Sequence, residues 1–225
     1  MQGKVIVVTG AFGALGRAVV KLAQSRGARV AQIDFAPAPA ELAAAPLVFG
    51  GLDLGDSGAA TATMRLVRER AGRIDALLNI AGGFVWRTLE DGGADMWERM
   101  YRLNTVTTVN ASKAALPHLI ESQGAIVNVG AHGAVRAAEG MGAYAASKSG
   151  VHRLTESLAE ELKGRVRVNA VLPSIIDTAA NRADMPKADF SAWVQPEELA
   201  RVMLFLASDD ASAVTGALVP VMGGV

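Results

Sequence analysis

The sequence contains no cysteine, and it lacks the long apolar runs and the excess charge that mark several classes of protein. Without cysteine the chain has no disulfide framework, no thiolate nucleophile and no cysteine-ligated metal. No apolar run approaches the roughly 18 residues that a membrane span requires. Basic and acidic residues number 22 each, so the overall charge favours neither nucleic acid nor an anionic membrane surface. A small molecule is therefore the expected partner.

The amino-terminal segment lacks the features of a secretory signal. The apolar residues at 5–8 run directly into Thr9 and Gly10, which leaves no room for a signal sequence with its cleavage site. The expected location is the cytoplasm.

Apolar residues make up 51% of the 225 residues, and they occur as short β-branched runs between longer helical patterns. The runs predict strands at residues 4–8, 29–33, 46–49, 76–80, 125–129, 166–171 and 217–221. Helices are predicted at residues 14–26, 57–71, 95–118, 143–162 and 196–207. The alternation predicts one domain, 1–225, with an α/β, Rossmann-like, doubly wound parallel sheet of about seven strands and helices on both faces.

A glycine-rich turn follows the first predicted strand and opens the first helix. Its residues are Gly10, Phe12, Gly13, Ala14, Leu15 and Gly16. Glycines let the backbone approach a pyrophosphate, and the free N–H groups of the helix start favour its negative charge. The alternative is an ordinary strand-to-helix turn.

Two aspartates follow the next two predicted strands. Asp34 is placed to accept hydrogen bonds from the adenosine ribose and to repel a 2′-phosphate, which favours NAD(H) over NADP(H). Asp53, with Leu54, is placed to accept from the adenine amino group. The alternatives are a loop-capping role for Asp34 and a turn or helix-cap role for Asp53.

Tyr144 and Lys148 are four residues apart at the start of a predicted helix, so their side chains share one face. A nearby ammonium stabilises phenolate, and we therefore expect Lys148 to lower the pKa of Tyr144 so that the phenol exchanges a proton near neutral pH. Taken alone, such a pair is more often an exposed pair than a catalytic one. The order of motifs reverses this estimate: a glycine turn, then Asn79-Ile80-Ala81-Gly82, Asn104, and Tyr144-Ala145-Ala146-Ser147-Lys148.

This order of motifs resembles the short-chain dehydrogenase/reductase family over essentially the whole chain. The resemblance implies that Asn79 supports the central strand, that Asn104 holds a water in a proton relay, and that Lys148 also binds the nicotinamide ribose. It further implies cofactor contacts from Ala81, Gly82, Pro173, Ile176 and Thr178, and a homodimer or homotetramer.

One position departs from the family pattern. A serine normally lies thirteen residues before the tyrosine, and here that position is Ala131, which cannot donate a hydrogen bond to a substrate carbonyl. Dihydropteridine reductases, a branch of the family, also lack this serine, and the chain is similar to them at Asp177-Thr178, Asn181-Arg182 and residues 185–193. Asn79 and Asn104 instead follow the general family.

Five residues in loops after strands are candidates for the walls of a flat apolar substrate pocket: Phe84, Trp86, Met141, Phe190 and Trp193. Phe190 and Trp193 have the equal alternative of anchoring their loop. His132 lies beside Ala131, either as a replacement donor or, more often for a loop histidine, facing solvent. His118 and His152 lie on predicted helices without partners at metal-ligand spacing, so both are interpreted as structural and no metal site is expected.

The leading hypothesis is an NADH-dependent reductase with quinonoid dihydropterin as substrate and Tyr144 as proton donor. A second hypothesis keeps the enzyme class and makes the substrate a ketone, aldehyde or alcohol. A third is a non-catalytic NAD-binding regulatory protein, in keeping with the missing serine.

Overall fold

A seven-stranded parallel sheet forms the centre of the computed structural model, which describes all residues, 1–225. The strands are β1 (Val5–Thr9), β2 (Arg29–Ile33), β3 (Val48–Phe49), β4 (Ala76–Asn79), β5 (Ala125–Val129), β6 (Arg167–Pro173) and β7 (Leu218–Val221). Their order across the sheet is β3-β2-β1-β4-β5-β6-β7, and all neighbours run parallel. The order reverses between β1 and β4, the position where open parallel sheets bind ligands.

Helices cover both faces of the sheet. They are α1 (Ala14–Ser25), α2 (Ser57–Ala71), α3 (Ala94–Tyr101), α4 (Thr107–Ser122), α5 (Gly142–Glu161), α6 (Ala179–Asp184) and α7 (Pro196–Ala207). One buried cluster lies between the sheet and α1 and α7, and a second lies between the opposite face and α2, α4 and α5. The central strands β1, β4, β5 and β6 are buried on both faces because helices cover both, as the apolar runs predicted, whereas the edge strands β3 and β7 are partly exposed.

The predicted fold class is confirmed, with three local differences. The segment predicted as one helix at 95–118 is divided by a π-turn, Arg102–Val106, which joins α3 to α4. Strand β3 has two residues rather than four, because residues 46–47 remain in a turn. The short helix α6 was not predicted; its N-cap is Thr178, whose side chain accepts from the N–H of Asn181.

A chain of buried polar side chains crosses the middle of the sheet from α4 to α5. Asn79 Nδ2 donates to Ser112 Oγ and to Asn128 Oδ1, and Asn128 Nδ2 donates to Thr155 Oγ1. All four residues are buried. These bonds link the helix after the π-turn to the helix that carries Tyr144.

No helix combines the length and the apolar character that crossing a membrane would demand.

Candidate active site

A cavity of about 780 Å³ opens at the carboxyl ends of the central strands. Most of the residues predicted to bind the cofactor line it: Gly10, Phe12, Gly13, Ala14, Leu15, Gly16, Asp34, Asp53, Leu54, Ala81, Gly82, Ile176 and Thr178. Asn79, Tyr144, Lys148 and Pro173, which were also predicted to bind the cofactor, do not line this cavity.

The glycine turn is built from close backbone contacts. Gly10 has a φ of +66°, and a Cβ on it would lie 2.8 Å from the backbone nitrogen of Ala81. A Cβ on Gly16 would collide with the carbonyl oxygen of Gly10. Helix α1 then begins without a side-chain cap at Gly13, so its first N–H groups have no capping side chain and border the cavity. These features fit the pyrophosphate of a dinucleotide.

Asp34 is fixed at the edge of the cavity by two backbone groups. Its Oδ2 accepts from the N–H of Phe12 at 2.8 Å, and its Oδ1 accepts from the N–H of Ala36 at 3.0 Å. Arg17, in the first turn of α1, donates to the carbonyl of Phe12. Each carboxylate oxygen keeps a lone pair for a further donor such as a ribose hydroxyl.

Asp53 lines the cavity but already has partners. It forms an ion pair with Arg102 at 2.8 Å and accepts from the N–H of Gly55 at 2.7 Å. The Arg102 guanidinium and the Gly55 N–H hold the pKa of this carboxyl below its usual value. The predicted adenine contact must therefore share Asp53 with Arg102, a residue that the sequence analysis did not identify.

Asn79 is not among the residues that line the cavity, and its predicted direct contact with the cofactor stays a prediction. Its side chain is buried and bonded to Ser112 and Asn128 in the core. Side chains alternate between the faces of a strand, and Asn79 at the end of β4 points toward α4 rather than into the cleft. The family role of supporting the central strand agrees with this position.

Tyr144 and Lys148 lie on one face of α5, beside the end of β5. Lys148 Nζ donates to the carbonyl of Val129 at 2.8 Å. Burial raises the pKa of Tyr144 to about 12 and lowers the pKa of Lys148 to about 8. The expected lowering of the tyrosine pKa is therefore not found, because burial removes solvent from the phenolate form of Tyr144 and so raises its pKa. At neutral pH Tyr144 carries its proton, as a proton donor must.

Asn104 lies in the π-turn, and both the nitrogen and the oxygen of its side-chain amide form hydrogen bonds with neighbouring residues. Its Nδ2 donates to the carbonyl of Gly83 and to Ser147 Oγ, and its Oδ1 accepts from the N–H of Gly83. Asn104 thus joins the loop after β4 to α5. In this structure it positions the site, and its predicted water-holding role stays a prediction.

Ala131 is buried beside α5, where its N–H donates to Nε2 of His152 at 3.3 Å. His152, interpreted from sequence as structural only, therefore contacts the position that departs from the family. His132 begins a short 3₁₀ turn and is exposed. This placement agrees with the solvent-facing alternative for His132.

Aromatic residues of the β4–α3 connection pack against the start of α5. The ring of Phe84 meets that of Tyr144 edge-on, with centroids 4.9 Å apart. The indole of Trp86 occupies the space beside Gly140, and its Nε1 donates to the carbonyl of Glu139. Trp97 similarly packs beside Gly142. Trp97, which lies on α3, was not among the predicted pocket residues.

Met141 closes this wall from the other side. It is half-buried at the N-cap of α5, and its Cε lies near Gly133 of the 3₁₀ turn. Phe84 thus contacts Tyr144, and Trp86 and Met141 lie near the start of the same helix, while their role in a substrate pocket stays a prediction.

The loop between β6 and α7 is held around Asp177. Its carboxylate accepts from Nε and Nη2 of Arg182 and from Nε2 of Gln195, and these donors lower its pKa to about 2. Arg182 lies over the ring of Phe190, whose centroid is 4.8 Å from that of Trp193. Only 4% of Trp193 is exposed, which agrees with the alternative that it anchors the loop. Pro173, at the end of β6, is buried at the base of this loop.

Comparison with known proteins gives matches over nearly the whole chain. A family profile described as enoyl-(acyl carrier protein) reductase matches residues 10–225. Meso-2,3-butanediol dehydrogenase of Serratia marcescens is 36% identical, covering 99% of this chain and 94% of the relative. A 3-oxoacyl-(acyl-carrier-protein) reductase of Thermotoga maritima is 32% identical, covering 100% and 98%. The solved structure of an NAD⁺-bound xylitol dehydrogenase superimposes with a TM-score of 0.89 at 26% identity, covering 99% of each chain.

Proposed function

Because this chain belongs to the short-chain dehydrogenase/reductase family of oxidoreductases, we propose that it is an NAD(H)-dependent enzyme that interconverts a small alcohol and its ketone or aldehyde. Tyr144 is the proton donor in reduction and the acceptor in oxidation. Lys148 and Asn104 hold the site around it.

The position of Gly82 carries this proposal. Gly82 lines the large cavity, and a Cβ on it would lie 2.5 Å from Asn104 Oδ1 and 3.4 Å from Lys148 Nζ. Asn104 and Lys148, two of the residues assigned to the site, therefore lie directly behind the Gly82 part of the cavity wall. Such an arrangement serves a reaction in which a hydride and a proton reach neighbouring atoms of one substrate.

A nicotinamide bound in the cavity supplies or accepts the hydride at the substrate carbon. In reduction, Tyr144 Oη gives its proton to the substrate oxygen as the C=O bond becomes C–O. The ammonium of Lys148 favours the phenolate that is left, and a proton from solvent restores the phenol.

The relatives support an alcohol or carbonyl substrate and give no support to quinonoid dihydropterin. The name of the Serratia relative describes oxidation of a diol, and that of the Thermotoga relative describes reduction of an oxoacyl group. Both are carbonyl–alcohol conversions. The uncharged ring of Phe84, which packs edge-on against Tyr144, fits an uncharged group next to the reacting carbon.

A substrate panel tests the proposal. NADH consumption with small ketones, aldehydes and hydroxyketones, and NAD⁺ reduction with the matching alcohols and diols, should give kcat/KM values above the value for quinonoid dihydropterin. Ala131→Ser is the matched variant, and it should raise kcat toward ketones because a second donor stabilises the negative charge that develops on the oxygen. Efficient pterin reduction without carbonyl activity would overturn the substrate proposal. Cofactor binding without turnover of any substrate would support the regulatory alternative instead.

Asp34 is proposed to set the preference for NADH over NADPH, since its carboxylate gains bonds from ribose hydroxyls and repels a 2′-phosphate. We expect Asp34→Ser to reduce the ratio of the two dissociation constants by at least about tenfold, or about 1.4 kcal/mol, in calorimetric titrations. Wild-type protein that binds both cofactors equally would refute the assignment.

Arg17 provides the control for this measurement. It lies in the first turn of α1 and donates to the carbonyl of Phe12, the residue whose N–H binds Asp34, so its guanidinium is placed to pair with a 2′-phosphate once the carboxylate is gone. Adding Arg17→Ala to Asp34→Ser should therefore reverse part of the gain in NADPH affinity and leave NADH affinity nearly unchanged.

A further inference from the structure

We propose that His152 is a positioning residue of the active site, which fastens the chain segment carrying Ala131 to the helix that carries Tyr144 and Lys148. The inference rests on the proposed function for its effect on turnover. The contact itself can be tested separately.

The contact is a buried hydrogen bond in which the imidazole is the acceptor. The N–H of Ala131 points at Nε2 of His152 at 3.3 Å, and the two residues are 4% and 3% exposed. Accepting at Nε2 places the proton of the neutral ring on Nδ1. A buried N–H that loses its only partner costs free energy, so removal of this acceptor should displace the segment.

The same face of α5 binds the segment at three points. Lys148 Nζ donates to the carbonyl of Val129, Ser149 Oγ donates to the carbonyl of Ala134 at 3.0 Å, and His152 accepts from Ala131 between them. Tyr144, Lys148 and His152 are spaced by four residues, which places them in one row along the helix. A shift at Ala131 therefore reaches the carbonyl that holds Lys148, two residues away.

Gly130 is matched to this histidine. A Cβ on Gly130 would lie 2.6 Å from Nε2 and 2.8 Å from Cδ2 of His152. The imidazole therefore fills the space that a side chain at position 130 would need. A leucine at position 152 would supply similar volume but no acceptor, and this difference separates packing from hydrogen bonding.

The experiment compares His152→Leu with His152→Gln, whose amide oxygen restores an acceptor. We expect His152→Leu to lower kcat by about tenfold or more with the NADH dissociation constant within about twofold of wild type. It should also increase the amide exchange rate of Ala131, measured by NMR, by about tenfold. His152→Gln should restore most of the wild-type kcat and most of the wild-type protection of the Ala131 amide. His118→Leu is the matched control. Because Nδ1 of His118 is buried without a partner, this variant should change neither kcat nor the amide exchange rate of Ala131.

Wild-type kcat in His152→Leu would overturn the proposal, as would equal impairment of the leucine and glutamine variants. Gly130→Ala tests the same contact from the other side if His152→Leu folds poorly. It should reproduce the loss of kcat, and the double variant with His152→Leu should be no worse than either single variant. If wild type shows no turnover that depends on Tyr144, the proposed function fails, and the amide exchange still decides whether His152 holds Ala131.

Discussion

Tyr144→Phe should lower kcat by about 10² or more while the affinity for NADH stays nearly unchanged. The substitution removes the hydroxyl assigned to proton transfer and keeps the ring, whose edge-on contact with Phe84 needs no hydroxyl. Because burial raises the pKa of Tyr144 to about 12, the wild-type phenol is protonated throughout the neutral range and can act as the acid in reduction. Steady-state rates and NADH titration on the same preparation measure both effects.

The chain contains one other tyrosine, which provides the control. Tyr101 ends α3 and is 53% exposed, so Tyr101→Phe should leave kcat unchanged. Near-full turnover in Tyr144→Phe would place the acid elsewhere, and His132 would be the first residue to examine.

Lys148→Met should remove most activity and yet stabilise the fold at pH 7. Burial lowers the pKa of Lys148 from 10.5 to about 8, so the fold disfavours the charged form by about 3 kcal/mol. Methionine removes this cost, while the carbonyl of Val129 loses a donor, at about 1 kcal/mol. The free energy of unfolding in urea should therefore rise by about 2 kcal/mol.

The lowered pKa of Lys148 also sets the direction in which folding stability changes with pH. Between about pH 8 and 10.5 the unfolded chain binds a proton at this lysine that the folded chain has released, so wild-type stability rises with pH in this window. Below about pH 8 the cost of burying the charged Lys148 ammonium is fully present. Urea titrations at pH 7.0 and 9.5 should thus show a rise for wild type that Lys148→Met lacks. Lys113→Met, at an exposed position on α4, should retain the rise. A variant less stable than wild type at pH 7 would contradict the burial cost.

The architecture could be predicted from local patterns because each of them reports a backbone requirement. Strands buried on both faces need continuous apolar residues, and the turn after β1 needs glycine where Gly10 and Gly16 pack against other backbone. The spacing of Tyr144 and Lys148 likewise follows from helix geometry alone. These features therefore agree between sequence and structure.

The sequence-based expectations differ from the structure at residues whose contacts come from distant segments of the chain. Asn79 and Asn104 could be identified as important, but only the fold shows that one faces the core and the other faces Gly83. Lys148 was expected to lower the pKa of Tyr144. Burial raises this pKa instead, and burial depends on all the elements that surround the site. His152 had no sequence signal, since its partner is a backbone N–H twenty-one residues away.

The π-turn at Arg102–Val106 limits how this region can change in length during evolution. A π-turn is equivalent to an α-helix with one inserted residue, as a single added codon would produce. Removing that codon would leave a continuous helix, but each residue contributes about 100° of rotation, so α3 would turn by about that angle relative to α4. Trp97 would then point away from Gly142, and Asn104 would no longer face Gly83. Homologous genes that keep this chemistry should therefore vary here by substitution and conserve the number of residues.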